Sequence, residues 1–225
     1  MEERKLSLRH GDMWSLGSMM LLTVCGSLWI FIAGTSFAGL GIFWGILLFF
    51  VHKAYYRIPA DETGITFYTL RAGLKMPAVW LLIFISCLFE FSFVQVSRVL
   101  APGYMEYELS RIQGMVSLSA GFPFVILQLV VLALGEEIAW RGFFQQRLNS
   151  YWPLWPSILI TTVFFTLGHI SCGPIGLVAY GLVEVIVQSI IFGLVFKKTA
   201  SIYLVACTHF LANLTAFLVY AHMGL

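Results

Sequence analysis

Seven apolar stretches dominate this sequence, near residues 13–33, 36–51, 77–97, 116–139, 154–171, 175–196 and 200–220. Each is long enough, or nearly so, to cross a hydrocarbon core about 30 Å thick. In lipid every backbone N–H and C=O must be satisfied within the chain, and continuous apolar runs of this length do so as helices. The expectation is an all-α fold, a polytopic transmembrane helical bundle of about seven spans, forming a single integral-membrane domain over residues 1–225. A soluble class is excluded, because charged residues make up 11% of the chain where a soluble domain carries about 25%. The second stretch is short, and only Gly34 and Thr35 separate it from the first, so it reads as a tight hairpin partner. The longest polar stretch, 52–76, contains Asp61, Glu62 and Thr63-Gly64 and reads as an extramembrane loop. No internal repeat, low-complexity segment or soluble domain is evident.

Charge placement orients the spans. With the N-terminus inside, the inside segments hold Arg4, Lys5, Arg9, Lys53, Arg57, Arg71, Lys75, Arg141, Arg147, Lys197 and Lys198, and the outside segments hold Arg98 and Arg111. That is eleven against two, and by the positive-inside rule it places the N-terminus inside and the C-terminus outside. Tyr151, Trp152 and Trp155 beside Pro153 and Pro156 fit an interfacial aromatic belt at the inner face. The first apolar run extends to about Ala33 with no Ala-x-Ala cleavage site, so it reads as a retained span rather than a cleaved signal. Cys25, Cys87, Cys172 and Cys207 show no Cys-x-x-Cys spacing and read as small apolar residues.

Against this background the adjacent carboxylates Glu136 and Glu137 stand out, since a charged residue at bilayer depth costs about 2.5–3.5 kcal/mol on insertion scales. Glu137 and Arg141 are four apart and share a helix face, with the glutamate on the favourable N-terminal side. Glu136 points about 100° away from that pair and needs a partner or a task of its own. Burial favours the neutral form of a carboxyl group and so suits it to general acid–base work near neutral pH. His169 follows Phe165 by four residues, so the ring can wall the imidazole. His209 and Asn213, also four apart, set an imidazole and an amide side by side as neutral donors suited to an oxyanion. The structural alternatives are an ion pair around Arg141 and interhelical hydrogen bonds at the two histidines. Glu90, Glu184 and Gln188 also fall in apolar runs, where Glu184 and Gln188 read as an interhelical polar contact, while His10, His52 and His222 lie near span ends and read as solvated. One tension follows: Glu136 lies toward the inner end of the fourth span and His169 toward the outer end of the fifth. For them to meet, the fourth span must continue past Arg141, the fifth must start later, or a helix must tilt or break.

Three motifs occur in order on separate apolar segments: Glu136-Glu137-Ile-Ala-Trp-Arg141, Phe165-Thr-Leu-Gly-His169 and His209-Phe-Leu-Ala-Asn213. This pattern resembles the CAAX-protease and bacteriocin-processing (CPBP, or Abi) family of intramembrane endopeptidases. Phe192-Gly193-Leu194 and then Lys198-Thr199-Ala200-Ser201 are similar to the stretch before the third motif, with Ala200 where glycine is usual. The resemblance covers about 120–215, the expected protease motif core; residues 1–115 add spans but no motif, and the prenyl-protein branch is not singled out.

The resemblance implies a catalytic set of Glu136, His169, His209 and Asn213. Glu136 and His169 would activate a water for attack on a peptide carbonyl, His209 and Asn213 would form the oxyanion hole, and Glu137 and Arg141 would brace the site. No cofactor is expected. Zinc on Glu136, His169 and His209 is the minority alternative, set against the absence of a His-Glu-x-x-His signature and the positive charge of Arg141. The expected partners are the lipid bilayer and a membrane-associated protein or peptide substrate, with no nucleic acid, and the expected setting is a bacterial cytoplasmic membrane. The competing functions are a catalytically silent scaffold or immunity protein and a proton-coupled transporter, the latter disfavoured by the lack of duplicated halves.

Overall fold

The computed structural model describes residues 2–34, 37, 39–58, 63–115, 117 and 121–222, and for residues 2–12 and 115 the backbone alone. Helices account for all its regular structure: α1 (Glu2–Leu28), α2 (Ile30–Ala33), α3 (Gly39–Tyr55), α4 (Phe67–Leu74), α5 (Pro77–Leu100), α6 (Tyr104–Met115), α7 (Phe122–Glu137), a π-helical segment (Ile138–Gln145), α8 (Gln146–Leu148), α9 (Leu154–Leu167), α10 (Ile175–Thr199) and α11 (Ile202–His222). Among the described residues five stretches are long and apolar enough to cross a membrane: Met13–Ala33, Pro77–Leu100, Phe122–Leu148, Ile175–Thr199 and Ile202–His222. The apolar helices Gly39–Tyr55 and Leu154–Leu167 are shorter, about 25 and 21 Å at 1.5 Å per residue. Large apolar side chains such as Phe31, Phe43, Phe84 and Val163 stand exposed along these helices, as a lipid-facing surface requires.

The expected polar loop is partly helical. Asp61 and Glu62 lie outside the described residues, while α4 starts at Phe67, where the Thr66 hydroxyl accepts a hydrogen bond from the Thr69 N–H at 3.2 Å and satisfies an otherwise orphaned donor. The stretch after α5, placed by the charge pattern among the outside segments with Arg98 and Arg111, contains α6. His52 is not solvated: α1 packs on α3, and the imidazole is buried, 3.1 Å from Ser15 Oγ. His222, the last residue of α11, is exposed.

Helix packing centres on α11, which lies against α7 and α5, and on the π-helical segment, which lies against α3. Close approach depends on small residues, as is usual where lipid gives no hydrophobic drive for association. A Cβ on Gly142 would sit 2.5 Å from Ile202 Cδ1 and 3.1 Å from a ring carbon of Phe49, so the glycine lets α11 and α3 approach closely here. Trp140, Phe143 and Phe144 are all buried, so the π-helical segment is enclosed on every side.

The fourth span corrects the expected boundary at 139, since helix continues through the π-helical segment to Leu148. Glu136 is therefore near the middle of a long helix, twelve residues or about 18 Å from its end at Leu148. The chain then turns back, and α9 climbs about 20 Å before ending at Leu167. His169, just beyond, arrives at the depth of Glu136. α11 starts level with Gly142, where Ile202 packs. Seven residues further, about 10 Å, His209 reaches that depth too.

Candidate active site

Three elements thus deliver the motif residues to one level, and local hydrogen bonds aim them. His169 follows the end of α9, with Nδ1 2.7 Å from the Phe165 carbonyl oxygen. A carbonyl only accepts, so Nδ1 carries the proton and donates. In the neutral ring the lone pair is then on Nε2, which lies 3.9 Å from Glu136 Oε2. The Phe165 ring walls the imidazole, with centroids 4.5 Å apart. Among the described residues Glu136 Oε2 has no hydrogen-bond partner.

The neighbouring carboxylate faces the other way. Glu137 is fully buried, and its Oε1 receives Arg141 Nη1 at 3.0 Å and lies 2.8 Å from His209 Nδ1. Arg141, also fully buried, extends Nη2 to the Ser189 carbonyl at 3.0 Å and to Ser189 Oγ at 2.8 Å. Its guanidinium sits 4.6 Å from the Phe165 centroid and 5.3 Å from that of Phe192, within cation–π range of both. His209 stacks on Phe192 with centroids 4.6 Å apart. Arg141 therefore ties together the π-helical segment, α9 and α10, and Glu137 ties them to α11.

Glu136, His169, His209 and Asn213 line one cavity of about 150 Å³. Its apolar wall is Val125, Leu129 and Leu132 of α7 with Phe217 of α11. A larger groove of about 720 Å³, lined by Phe91, Arg98, Leu218 and His222 among others, lies between the ends of α5 and α11 and holds none of the motif residues.

The cavity also contains groups that sequence reasoning ranked low or passed over: Glu90, Glu108, Arg111, Glu184 and Gln188. Gln188 donates to Glu90 Oε2 and to the Ser86 carbonyl, both at 3.1 Å, and accepts from Ser86 Oγ at 2.6 Å. Tyr104 donates to Glu184 at 3.0 Å. Glu108 grips Arg111 through two hydrogen bonds, one of them Nε to Oε2 at 2.9 Å. The signal for Glu108 and Arg111 was their i, i+3 spacing on a helix. Glu184 therefore pairs with Tyr104 of α6, and Gln188 with α5. Among the described residues no three His, Cys, Asp or Glu side chains are grouped to hold a metal ion.

Residues 118–215 match the family model described as Rce1-like, type II CAAX prenyl endopeptidase Rce1-like. The matched stretch contains all three motifs and is consistent with the CAAX-protease and bacteriocin-processing family. With the long apolar helices it fits an integral, multi-pass membrane protein and supports intramembrane endopeptidase activity in general terms. No curated protein and no solved structure matches the chain.

Proposed function

With residues 118–215 taken as a region of the Rce1-like, CAAX-protease type, we propose that this protein is a glutamate-type intramembrane endopeptidase. It hydrolyses a peptide bond of a membrane-associated protein or peptide through a water activated by Glu136. The observation that carries the proposal is the 3.9 Å between Glu136 Oε2 and His169 Nε2 at the cavity wall. This separation is too long for a direct hydrogen bond, and a small side-chain adjustment that opens the buried Glu136 Oε2 admits one water about 2.8 Å from each atom. Glu136 takes the water's proton as hydroxide adds to the substrate carbonyl carbon, and His169 Nε2 orients the oxygen. The proton on Glu136 then passes to the leaving amine nitrogen as the C–N bond breaks.

His209 and Asn213 receive the developing oxyanion. Because His209 Nδ1 is engaged with Glu137, the ring donates to the oxyanion from Nε2–H. Glu137 and Arg141 brace these groups and do not touch the substrate. The mechanism routes no step through a metal. A cavity of about 150 Å³ is smaller than a ligand pocket of roughly 300–1,000 Å³, so it holds the groups around the scissile bond rather than a whole peptide. The proposed topology has seven spans with the N-terminus inside and the C-terminus outside, α3 and α9 being the two short ones.

The test compares wild type with Glu136→Gln in proteoliposomes, given a pool of membrane-anchored peptides and read by mass spectrometry with and without chelator. Chelator-insensitive cleavage by wild type, reduced at least 10³-fold in the variant, is the expected result. Equal cleavage by both proteins removes Glu136 as the base, loss of cleavage with chelator restores a metal, and no cleavage by either favours the silent scaffold.

A further inference from the structure

Helix α6 lies outside both the five long apolar stretches and the family-matched residues, yet it completes the cavity wall with Glu108, Arg111 and Ile112. It also touches the segment that carries His169. Between Leu167 and Ile175 the chain has no helix, so nothing regular holds His169 from its C-terminal side. There the Tyr107 hydroxyl is 2.5 Å from Ser171 Oγ, two residues beyond the imidazole. The same ring lies against Gly173, where a Cβ would stand 2.4 Å from Tyr107 Cε2. One turn earlier, Tyr104 is buried and fixes α6 to α10 through Glu184. A small cleft directly behind the imidazole is lined by Tyr104, Tyr107, His169 and Ser171 among others. The Cys172 thiol also donates to the Gly34 carbonyl, at 3.0 Å.

We infer that α6 is a latch on the His169 segment and that Tyr107 is a positioning residue for the hydrolysis, acting through Ser171 and Gly173 and never on the substrate. The inference rests on the endopeptidase reading for its kinetic consequence only. The latch restrains the backbone that follows His169, so Nε2 keeps its spacing from Glu136. A lost hydrogen bond of ordinary strength loosens that restraint by about tenfold in population.

Full-length wild type, Tyr107→Phe, Ser171→Ala and the double variant are reconstituted, and two readouts are taken from each. The first is the rate of carbethoxylation of His169 by diethylpyrocarbonate, resolved by site in mass spectrometry, which needs no substrate. The second is kcat and KM on a peptide that wild type cleaves. Each single variant is expected to react about three- to tenfold faster at His169, and to lose about tenfold in kcat with KM within twofold. The double variant should match the singles, because either change opens the same bond. Unchanged His169 reactivity in both singles overturns the latch, even if thermal stability falls, as would a double variant whose losses multiply. Should Glu136→Gln cleave like wild type, the endopeptidase reading fails while His169 reactivity still decides the latch.

Discussion

Replacing Arg141 with methionine keeps most of the side-chain stem and removes the charge. The structure sets the scale of the loss. Arg141 and Glu137 are both fully buried, and Glu137 Oε2 has no hydrogen-bond partner among the described residues. Without the guanidinium, only His209 would face that carboxylate on Oε1. Removing one member of a buried pair costs about 3–5 kcal/mol, chiefly because the surviving charge is stranded. Arg141→Met is therefore expected to lose that amount. Arg141→Lys should lose about 1–3 kcal/mol, because a single ammonium cannot serve Glu137 and Ser189 together or lie flat against two rings. Pairing Arg141→Met with Glu137→Gln removes both charges and should recover at least half of the methionine variant's loss. Equilibrium unfolding in mixed micelles, titrated with sodium dodecyl sulfate and followed by tryptophan fluorescence, measures all four proteins. A loss below about 1 kcal/mol for Arg141→Met would refute the reasoning. So would a double variant no more stable than the single one, since the cost would not then lie in the stranded carboxylate.

Two further predictions concern the backbone. Ala200 closes α10 with φ 48° and ψ 28°, a left-handed conformation that costs a residue bearing a Cβ about 1–2 kcal/mol. Ala200→Gly should therefore raise stability by roughly 1 kcal/mol, and a lowered melting temperature in the same micelles would contradict this. Gly142→Ala should cost about 1–2 kcal/mol, because overpacking against Ile202 and Phe49 outweighs the helix-propensity gain of about 1 kcal/mol. A stabilised variant would show that α11 yields at this contact.

The helices were legible because long apolar runs have few other folds open to them. Where the fourth span ends was not, since hydropathy stops counting at a charge and cannot tell a buried ion pair from a membrane face. Glu136, Glu137 and Arg141 lie within a helix that continues to Leu148, and that continuation is what brings Glu136 level with His169. Contacts at helical spacing, such as Glu137 with Arg141 and Phe165 with His169, were readable directly. The His209 contact with Glu137 joins residues 72 apart, and the Ser15 contact with His52 joins residues 37 apart; no local pattern announces either. Helix α6 went unread because its polar and apolar residues are mixed without a long hydrophobic run, although Glu108 and Arg111 have helical spacing. Ala200 was noted from sequence as a departure from the usual glycine, and its left-handed conformation supplies the physical reason for glycine at that position.

The shortness of α9 has a consequence for the solvent as well as for the side chains. In the proposed topology α9 stops roughly 20 Å above the face where it begins, leaving about 10 Å of hydrocarbon between its end and the opposite face. In that topology the irregular backbone from Gly168 to Pro174 would fill the gap. At such depth, exposed peptide groups are tolerated only against protein or beside water, and a bilayer accommodates a short apolar helix by thinning around it. A dimpled, hydrated membrane over this corner would bring bulk water close to His169, so the helix length that levels Glu136 and His169 would, in the proposed hydrolysis, also shorten the route by which each turnover draws its nucleophile.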